Sequence, residues 1–274
     1  MLTAANISFH RPSRASLLGW LAAAAIAALL WHGPVAQWTN YHQFADGRHW
    51  HGVLNAANVL SNLPFLVIGL GGVWALLKHG SSPRQPALKA WLAFAVAVAL
   101  TAFGSTAYHW EPDNTALVFD RLPIAWACAT LLCAFLAERV DPRWGCAGSL
   151  TVALAVATLS VVWWWWGEQS GTGDLRAYLA VQFLPILLIP AGLLLRLRRP
   201  GQPSTAAWAW WAALALYTVA KVTETADLAL YEQLGIVSGH TLKHLLAAAA
   251  AACLLTAAVR TVRSAVRTGV RAAE

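Results

Sequence analysis

The stretch GSTAYHWEPDNTALVFDRLP, residues 104–123, lies between two strongly apolar segments of the chain and is rich in polar residues. The apolar segments on either side cover roughly 88–108 and 116–137, and each is long enough to cross a bilayer, which takes about 20 apolar residues. A short polar stretch between two such segments is typical of the turn that joins two transmembrane helices. The sequence therefore predicts a helical hairpin in a membrane at this point.

The same pattern recurs along the whole chain of 274 residues, of which 58% are hydrophobic and 11% charged. An ordinary soluble domain has about 25% charged residues. The following segments are predicted to be transmembrane helices: roughly 16–32, 54–77, 88–108, 116–137, 147–166, 177–197, 206–230 and 240–259. They occupy most of the chain, so the sequence predicts one all-α polytopic membrane protein without a separate soluble domain.

The first apolar segment has two interpretations. Arg11 and Arg14 precede LAAAAIAALLW, which is the arrangement of a secretory signal peptide. The residues that follow, WHGPVAQW, form a poor cleavage site because it lacks the usual small residues. We therefore expect a retained transmembrane helix.

The basic residues indicate an orientation in the membrane rather than a nucleic-acid partner. The formal net charge is +7. With eight spans, the outer segments hold only Arg48 and Arg176 as fixed cations. The inner segments hold Arg11, Arg14, Lys78, Arg84, Lys89, Arg139, Arg143, Arg196, Arg198, Arg199, Arg260, Arg263, Arg267 and Arg271. Because cytoplasmic loops are enriched in lysine and arginine, both termini are predicted to be cytoplasmic.

The four cysteines, Cys128, Cys133, Cys146 and Cys253, form no CxxC pair, and most lie in or beside apolar segments. A disulfide framework or a cysteine metal site has no support in this spacing. They are interpreted as small buried residues.

Ionisable residues inside membrane spans are costly and mark functional sites by default. Ser105 and His109 lie at positions i and i+4 near the outer end of the third segment, so they share one helix face. Asp120 lies about one turn inside the fourth segment, and His240 and His244 form another i, i+4 pair at the outer start of the last segment. The alternation of the spans places all five residues in one outer layer of the membrane.

Three histidines at a common depth suit a metal ion, because zinc in catalytic sites takes three protein ligands and keeps a fourth position for water. A nearby carboxylate can orient a ligating histidine or accept a proton from the water. A serine hydroxyl one turn away can donate a hydrogen bond to an oxyanion. Helix-packing hydrogen bonds remain the alternative for any single transmembrane histidine.

Three motifs, in order, resemble those of the CREST superfamily of membrane hydrolases and, within it, the alkaline ceramidase branch. They are SNLPF at 61–65, YHWEPDNTALVFDRLP at 108–123 and GHTLKHLLAAAA at 239–250. The resemblance implies a seven-helix ceramidase-like domain at 52–261. It is preceded at 1–51 by a cytoplasmic segment, one extra transmembrane helix and an outer loop, and followed at 262–274 by a basic cytoplasmic tail.

The resemblance also implies the chemistry. Zn²⁺ would be held by His109, His240 and His244, Asp120 would act on the zinc water as general base, and Ser105 would steady the ligands or the oxyanion. The reaction would be hydrolysis of the amide bond of a ceramide-like membrane lipid, which releases a fatty acid and a sphingoid base.

Eukaryotic members of the branch carry an acidic calcium site before the S-N motif. The corresponding stretch here, YHQFADGRHWHGVLNAANVLSN, offers only Asp46, with Asn55 in place of a glutamate. Calcium is therefore not expected.

Several other polar residues have two interpretations. Lys221 and Glu224 are spaced as a charge-neutralising i, i+3 pair, and Asp227 is either a support for the site or unrelated to it. Arg121 is expected to reach the membrane interface. Polar residues at the start of the second segment either face the site or pack between helices: Asn58, Ser61 and Asn62.

Two other functions stay open. One is a membrane protein of the same fold, like the adiponectin-receptor and haemolysin III relatives, with little hydrolase activity. The other is a transporter that uses Asp120, Glu224 and Asp227 as a proton relay, although the chain lacks the internal repeat that many transporters have. The expected location is a bacterial inner membrane, with the lipid bilayer and a lipid substrate as partners and the site toward the periplasm.

Overall fold

The computed structural model of the protein describes residues 13–79 and 85–271, with side chains up to 266. Within these ranges the chain is α-helical, and its only β-type pairing is an isolated bridge between Trp50 and Val53. Some residues of the sequence predictions lie outside the described ranges: 1–12 with Arg11, Arg84, and 272–274 of the tail.

The helices follow the predicted segments closely. They are α1 Arg14–His32, α2 Ala56–Leu60, α3 Leu63–His79, α4 Leu88–Trp110, α5 Asn114–Arg139, α6 Ala147–Gln169, α7 Arg176–Leu194, α8 Ala207–Thr225, α9 Asp227–Leu234 and α10 Gly239–Arg271. A short 3-10 helix, Pro142–Gly145, lies between α5 and α6.

Seven helical stretches of the described chain are long and apolar enough to cross a membrane. They are α1, the α2–α3 stretch Ala56–His79, α4, α5, α6, α7 and Gly239–Val266 of α10. The prediction of an all-α polytopic membrane protein is confirmed.

The predicted span 206–230 needs a correction. The helix α8 ends at Thr225, and the chain starts a separate short helix, α9, at Asp227. The stretch is not among the seven apolar spans, and it carries the charged Lys221 and Glu224 in its last turns. It packs along α10, so its charges face the bundle where the histidines lie.

The last helix is longer than predicted. The apolar segment was expected to end near residue 259, yet α10 continues to Arg271, so most of the basic tail is helical. At the other end of the chain, α1 packs on α7, with Leu18 as its single buried side chain. This position agrees with an extra helix on the outside of the bundle.

Close helix contacts at small residues fix the centre of the bundle. Gly69 of α3 lies against the backbone of Ala95 and Ala99 on α4. Gly104 of α4 lies against the carbonyl group of Phe119 on α5, where a Cβ atom would clash. Small residues allow such close approach of membrane helices. The second contact brings Ser105 of α4 and Asp120 of α5 to one depth.

The alternating helices define two ends of the bundle. The histidine end carries the 33–55 loop, the α4–α5 turn and the start of α10, and the opposite end carries the start of α1 and the end of α5. The 33–55 loop is hydrogen-bonded to the start of α7, since Leu175 donates its backbone N–H to Val35 O at 2.8 Å.

Candidate metal centre

Three buried histidines meet at the histidine end. His109 comes from the last turn of α4, and His240 and His244 come from the first two turns of α10. The Nε2 atom of His109 lies 3.2 Å from Nε2 of His244 and 3.3 Å from Nε2 of His240. One ligand atom from each ring lies within 4.8 Å of the others, so the group could hold a metal ion.

The geometry fits a tetrahedral ion of the size of zinc. Zinc–nitrogen bonds of about 2.0–2.1 Å at tetrahedral angles separate two ligand nitrogens by about 3.3–3.4 Å. The two measured Nε2 separations, 3.2 and 3.3 Å, are close to that value. The predicted ligands therefore converge at a spacing suited to one ion.

The tautomer of His244 is set by a serine on the neighbouring helix. The Ser61 hydroxyl donates to Asn58 O at 2.9 Å and lies 2.8 Å from Nδ1 of His244. A hydroxyl has one hydrogen, so the ring must donate from Nδ1 to Ser61 Oγ. The neutral imidazole then has its lone pair at Nε2, which faces the other two histidines.

The Nε2 lone pair of His240 accepts a hydrogen bond in the structure, so an ion bound at this nitrogen would displace the donor, Lys243. Lys243 Nζ lies 2.8 Å from that nitrogen and 3.0 Å from Oε1 of Glu224. An ammonium group has donors and no acceptor, so it donates to His240 Nε2. A positively charged group thus lies against the histidine nitrogens.

Lys221, Glu224 and Lys243 form a charged cluster, of which the sequence analysis predicted only a part. The predicted pair between Lys221 and Glu224 is present as a salt bridge. Lys243 was not predicted as a member, although its position one residue before His244 places it one turn after His240 on α10. Glu224 binds both lysines, and all three line the same cavity as His244.

Ser105 and Asp120 lie together in the cavity that also reaches His244. Both side chains are buried, the Ser105 hydroxyl interacts with the Asp120 carboxyl group, and both line a cavity that reaches His244. The Oδ1 atom of Asp120 has no hydrogen-bond partner among the described residues. A buried carboxylate oxygen without a partner is costly, so a hydrogen-bond donor supplied by a bound molecule would be favourable here.

The cavity has a volume of about 220 Å³ and extends away from the polar residues into the bundle. It reaches Leu254 on α10, roughly 15 Å below His244 at a helical rise of about 1.5 Å per residue. Its deeper walls are mainly apolar: Phe94, Val98, Leu131, Ile186, Ile189 and Leu214. The space is polar at the histidine end and apolar below it.

The 33–55 loop covers the centre, which the sequence did not predict. The ring of Phe44 lies 4.7 Å from that of His109 and 4.8 Å from that of His240. The amide of Asn55 donates to His109 O at 2.8 Å. An aromatic ring over two histidines shields the centre from water on that side.

Asp227 supports the centre through the backbone. Its Oδ1 accepts the N–H of His240 at 2.7 Å, and its Oδ2 accepts the N–H of Ala45 at 3.0 Å. The break between α8 and α9 places it there. Of the two interpretations of Asp227, the structure supports the one in which it positions the site, and both of its oxygens are engaged.

Asp46 and Arg48 hold the loop in place. Arg48 donates to both carboxylate oxygens of Asp46, at 2.8 and 2.7 Å, and to Ile236 O at 2.7 Å. The hydrogen bonds and charge of Arg48 hold the pKa of the Asp46 carboxyl below its usual value. The carboxylate of the buried Asp46 thus forms a salt bridge with Arg48.

Arg121 is buried within the protein rather than extended outward, contrary to the prediction. Its side chain is 3% exposed, and its guanidinium lies 4.0 Å from the ring centre of Trp164 and 4.9 Å from that of Tyr178. It also donates to Gln37 Oε1. Aromatic faces attract the cation, so the guanidinium of Arg121 is held among these rings inside the bundle.

The acid at the start of α5 has an ordinary role. Asp113 accepts the N–H of Ala116 at 2.6 Å and so caps the helix. The proton relay considered for a transporter is not continuous among the described residues, because Glu224 is bound to two lysines and Asp227 to two backbone amides.

In comparisons with known proteins, no protein-family model matches the chain and no curated protein matches it.

Proposed function

We propose that the protein is a zinc-dependent membrane hydrolase of the alkaline ceramidase type, which cleaves the amide bond of ceramide-like lipids into a fatty acid and a sphingoid base. One observation carries the proposal. The three histidines converge, and one of them, His244, lines a cavity with apolar walls together with Asp120, whose Oδ1 has no hydrogen-bond partner among the described residues. Metal-assisted hydrolysis of a lipid amide would use these elements together.

The cavity suits an acyl chain. Its apolar walls would take the hydrocarbon, and the amide group would then lie at the polar end, beside Ser105, Asp120 and His244. Transfer of each methylene group into an apolar space contributes about 0.8 kcal/mol. The fatty-acid part of the substrate would therefore position the bond that breaks.

His109, His240 and His244 would hold the ion, and zinc in such a site lowers the pKa of bound water to about 7 and polarises a carbonyl group. Ser61, by accepting the hydrogen on Nδ1, would keep the Nε2 lone pair of His244 free for the ion, and Asp227 holds the start of α10 against the 33–55 loop.

Asp120 moves the proton. Water adds to the amide carbonyl carbon, and Oδ1 of Asp120 accepts the proton that the water loses. The same carboxyl group then delivers this proton to the leaving nitrogen as the carbon–nitrogen bond breaks. Ser105 holds the carboxyl group in place through its hydroxyl. Phe44 excludes bulk water from the upper side of the centre.

The proposed orientation follows the positive charges. Basic residues are concentrated at the end opposite the histidines, so that end is assigned to the cytoplasm. The centre would then open toward the periplasm of a bacterial inner membrane.

The test is turnover in detergent. Purified protein is incubated with a ceramide, and the released fatty acid is quantified by mass spectrometry. Asp120→Asn should reduce the rate roughly 100- to 10,000-fold, as expected for loss of a general base, and should retain zinc. Glu111→Gln, which changes an exposed acid of the α4–α5 turn, is the matched control and should keep full activity. An Asp120→Asn variant as active as the wild type would overturn the assignment.

A further inference from the structure

A second cavity lies at the end of the bundle opposite the histidines. It has a volume of about 440 Å³. Four of the residues that line it are arginines, called here the arginine cavity: Arg14, Arg139, Arg196 and Arg198. The other three lining residues, Leu193, Leu197 and Ala207, carry no charge.

The four arginines come from three separate parts of the chain. Arg14 begins α1, Arg139 ends α5, and Arg196 and Arg198 lie in the loop that follows α7. The rule that favours basic residues in cytoplasmic segments explains their presence at this end. It does not require that they converge on one cavity, which is a property of the fold.

Backbone hydrogen bonds fix the loop around this cavity. Arg139 donates from Nη1 to Leu197 O at 3.2 Å and from Nη2 to Thr205 O at 2.6 Å, and Arg14 donates to Leu195 O at 3.4 Å. Arg196 has a φ of 53°, in the left-handed region, which costs a residue with a side chain roughly 1–2 kcal/mol. The loop is held in a conformation that brings its arginines to the cavity.

The protein balances the positive charge of the cavity only in part, through the electrostatic effect of Glu138 on Arg139. No carboxylate in the described part of the chain forms a salt bridge with any of the four arginines. The acid next to Arg139 in sequence, Glu138, instead accepts hydrogen bonds from Trp91 Nε1 and from the backbone N–H and hydroxyl of Thr205.

One of the arginines is buried with a free donor. The side chain of Arg139 is 9% exposed, and its Nε has no hydrogen-bond partner among the described residues. A buried donor without a partner is costly, and an anion in the cavity would supply the partner. Guanidinium groups bind phosphate oxygens with charge-assisted, often paired hydrogen bonds.

The depth of the cavity matches lipid headgroups. Arg139 lies 19 residues after Asp120 on the same helix, which corresponds to roughly 28 Å at about 1.5 Å per residue. The hydrocarbon core of a bilayer is about 30 Å thick. With Asp120 in one headgroup-proximal layer, the arginine cavity lies near the opposite headgroup layer.

The helices beside the cavity offer a surface for acyl chains. Trp20 on α1 and Leu194 on α7 are 70% and 73% exposed, and the two helices pack together. A lipid with its headgroup among the arginines would lay its chains along these apolar side chains. A small soluble anion would make no use of this surface.

We propose that the arginine cavity binds the phosphate group of an anionic phospholipid from the leaflet opposite the histidine centre. The site is separate from the histidine centre, and its occupancy does not depend on the hydrolase proposal. A bound lipid would hold α1, the end of α5 and the loop after α7 together.

The test is native mass spectrometry of the delipidated full-length protein with defined lipids. Wild type should retain phosphatidylglycerol and should not retain phosphatidylcholine, which carries a phosphate and no net charge. The double variant Arg196→Gln/Arg198→Gln should bind phosphatidylglycerol roughly 25-fold more weakly, the effect expected for two basic contacts. The side chains of Arg196 and Arg198 make no hydrogen bond within the described part of the chain, so replacing both should leave the fold intact.

The matched control is Arg143→Gln. Arg143 lies in the 3-10 helix just after Arg139, at the same end of the bundle, but it is paired with Asp141. The Arg143→Gln variant should bind phosphatidylglycerol as tightly as the wild type does. Millimolar inorganic phosphate, as a competing probe, should displace little of the lipid. Equal binding of the two lipids, equal effects of the double variant and the control, or displacement of the lipid by inorganic phosphate would each overturn the proposal.

Discussion

The hydroxyl of Ser61 lies 2.8 Å from Nδ1 of His244 and has already given its only hydrogen to Asn58 O. The ring must therefore carry its proton on Nδ1 and its lone pair on Nε2. Ser61, which directly follows α2, thus fixes which ring nitrogen of His244, on α10, carries the lone pair that an ion would bind. Hydrogen bonds of this kind orient metal ligands and raise their affinity.

Ser61→Ala should weaken zinc binding about 10- to 100-fold, because His244 loses the acceptor that fixes its tautomer. The dissociation constant is measured by competition with a chromogenic chelator. Ser160→Ala is the matched control, since Ser160 is a buried serine whose hydroxyl bonds only to Ala157 O of its own helix. Equal zinc affinities in the two variants would show that Ser61 has no role at the ligand.

Gly104→Ala should separate α4 from α5, because the added Cβ would clash with the carbonyl of Phe119. We expect a loss of about 1–3 kcal/mol in the free energy of unfolding and a lower rate of hydrolysis, since Ser105 and Asp120 lie on the two separated helices. Thermal unfolding in detergent and fatty-acid release measure the two effects.

Gly71→Ala is the control for that substitution. A Cβ at Gly71 of α3 would meet no atom within 4 Å, and alanine favours a helix over glycine by about 1 kcal/mol. The control should therefore be as stable as the wild type or slightly more so. Equal losses in both variants would mean that the contact between α4 and α5 does not limit stability.

Asp227→Asn should loosen both the start of α10 and the loop above it. The amide would direct an N–H group at one of two backbone N–H donors, those of His240 and Ala45, and an unpaired donor costs about 1–3 kcal/mol. We expect lower thermal stability and weaker zinc binding together. Glu232→Gln, an exposed acid of α9, should change neither, and a similar result for both variants would contradict the positioning role.

Asp46→Asn should reveal a pH-dependent contribution to stability. Because Arg48 holds the pKa of Asp46 below its usual value, the ionised carboxyl stabilises the folded state above about pH 4, and this contribution is lost as the pH falls through the folded-state pKa. Near pH 7 the wild type should unfold at a higher temperature than the variant, because the ionised carboxyl accepts the hydrogen bonds of Arg48. The difference should shrink as the pH falls below the usual pKa range of an aspartate. A difference that is constant over this range would contradict the account.

The helical spans and the three histidines were predictable because both depend on local spacing. Apolar runs of membrane length set the helices, and the i, i+4 spacing of His240 and His244 puts them on one helix face. The alternation of spans then brings His109 to the same depth. These inferences need only the helical repeat and the thickness of a bilayer.

The supporting contacts were not predictable in the same way. Phe44, Lys243 and Ser61 reach the centre through the path of a loop and the rotation of two helices, which apolar periodicity does not specify. The burial of Arg121 was missed because its aromatic partners, Trp164 and Tyr178, lie on two later helices. The end of α8 was misplaced because a break at one residue leaves the apolar pattern almost unchanged.

The most direct test of the central claim is the metal content of the purified protein by inductively coupled plasma mass spectrometry. We expect about one zinc per chain in the wild type, as in other three-histidine sites, and loss of that zinc in His240→Ala. His49→Ala, which removes an exposed histidine of the loop, should keep it. Stoichiometric zinc in His240→Ala, or no zinc in the wild type after growth with zinc, would contradict the assignment of the centre.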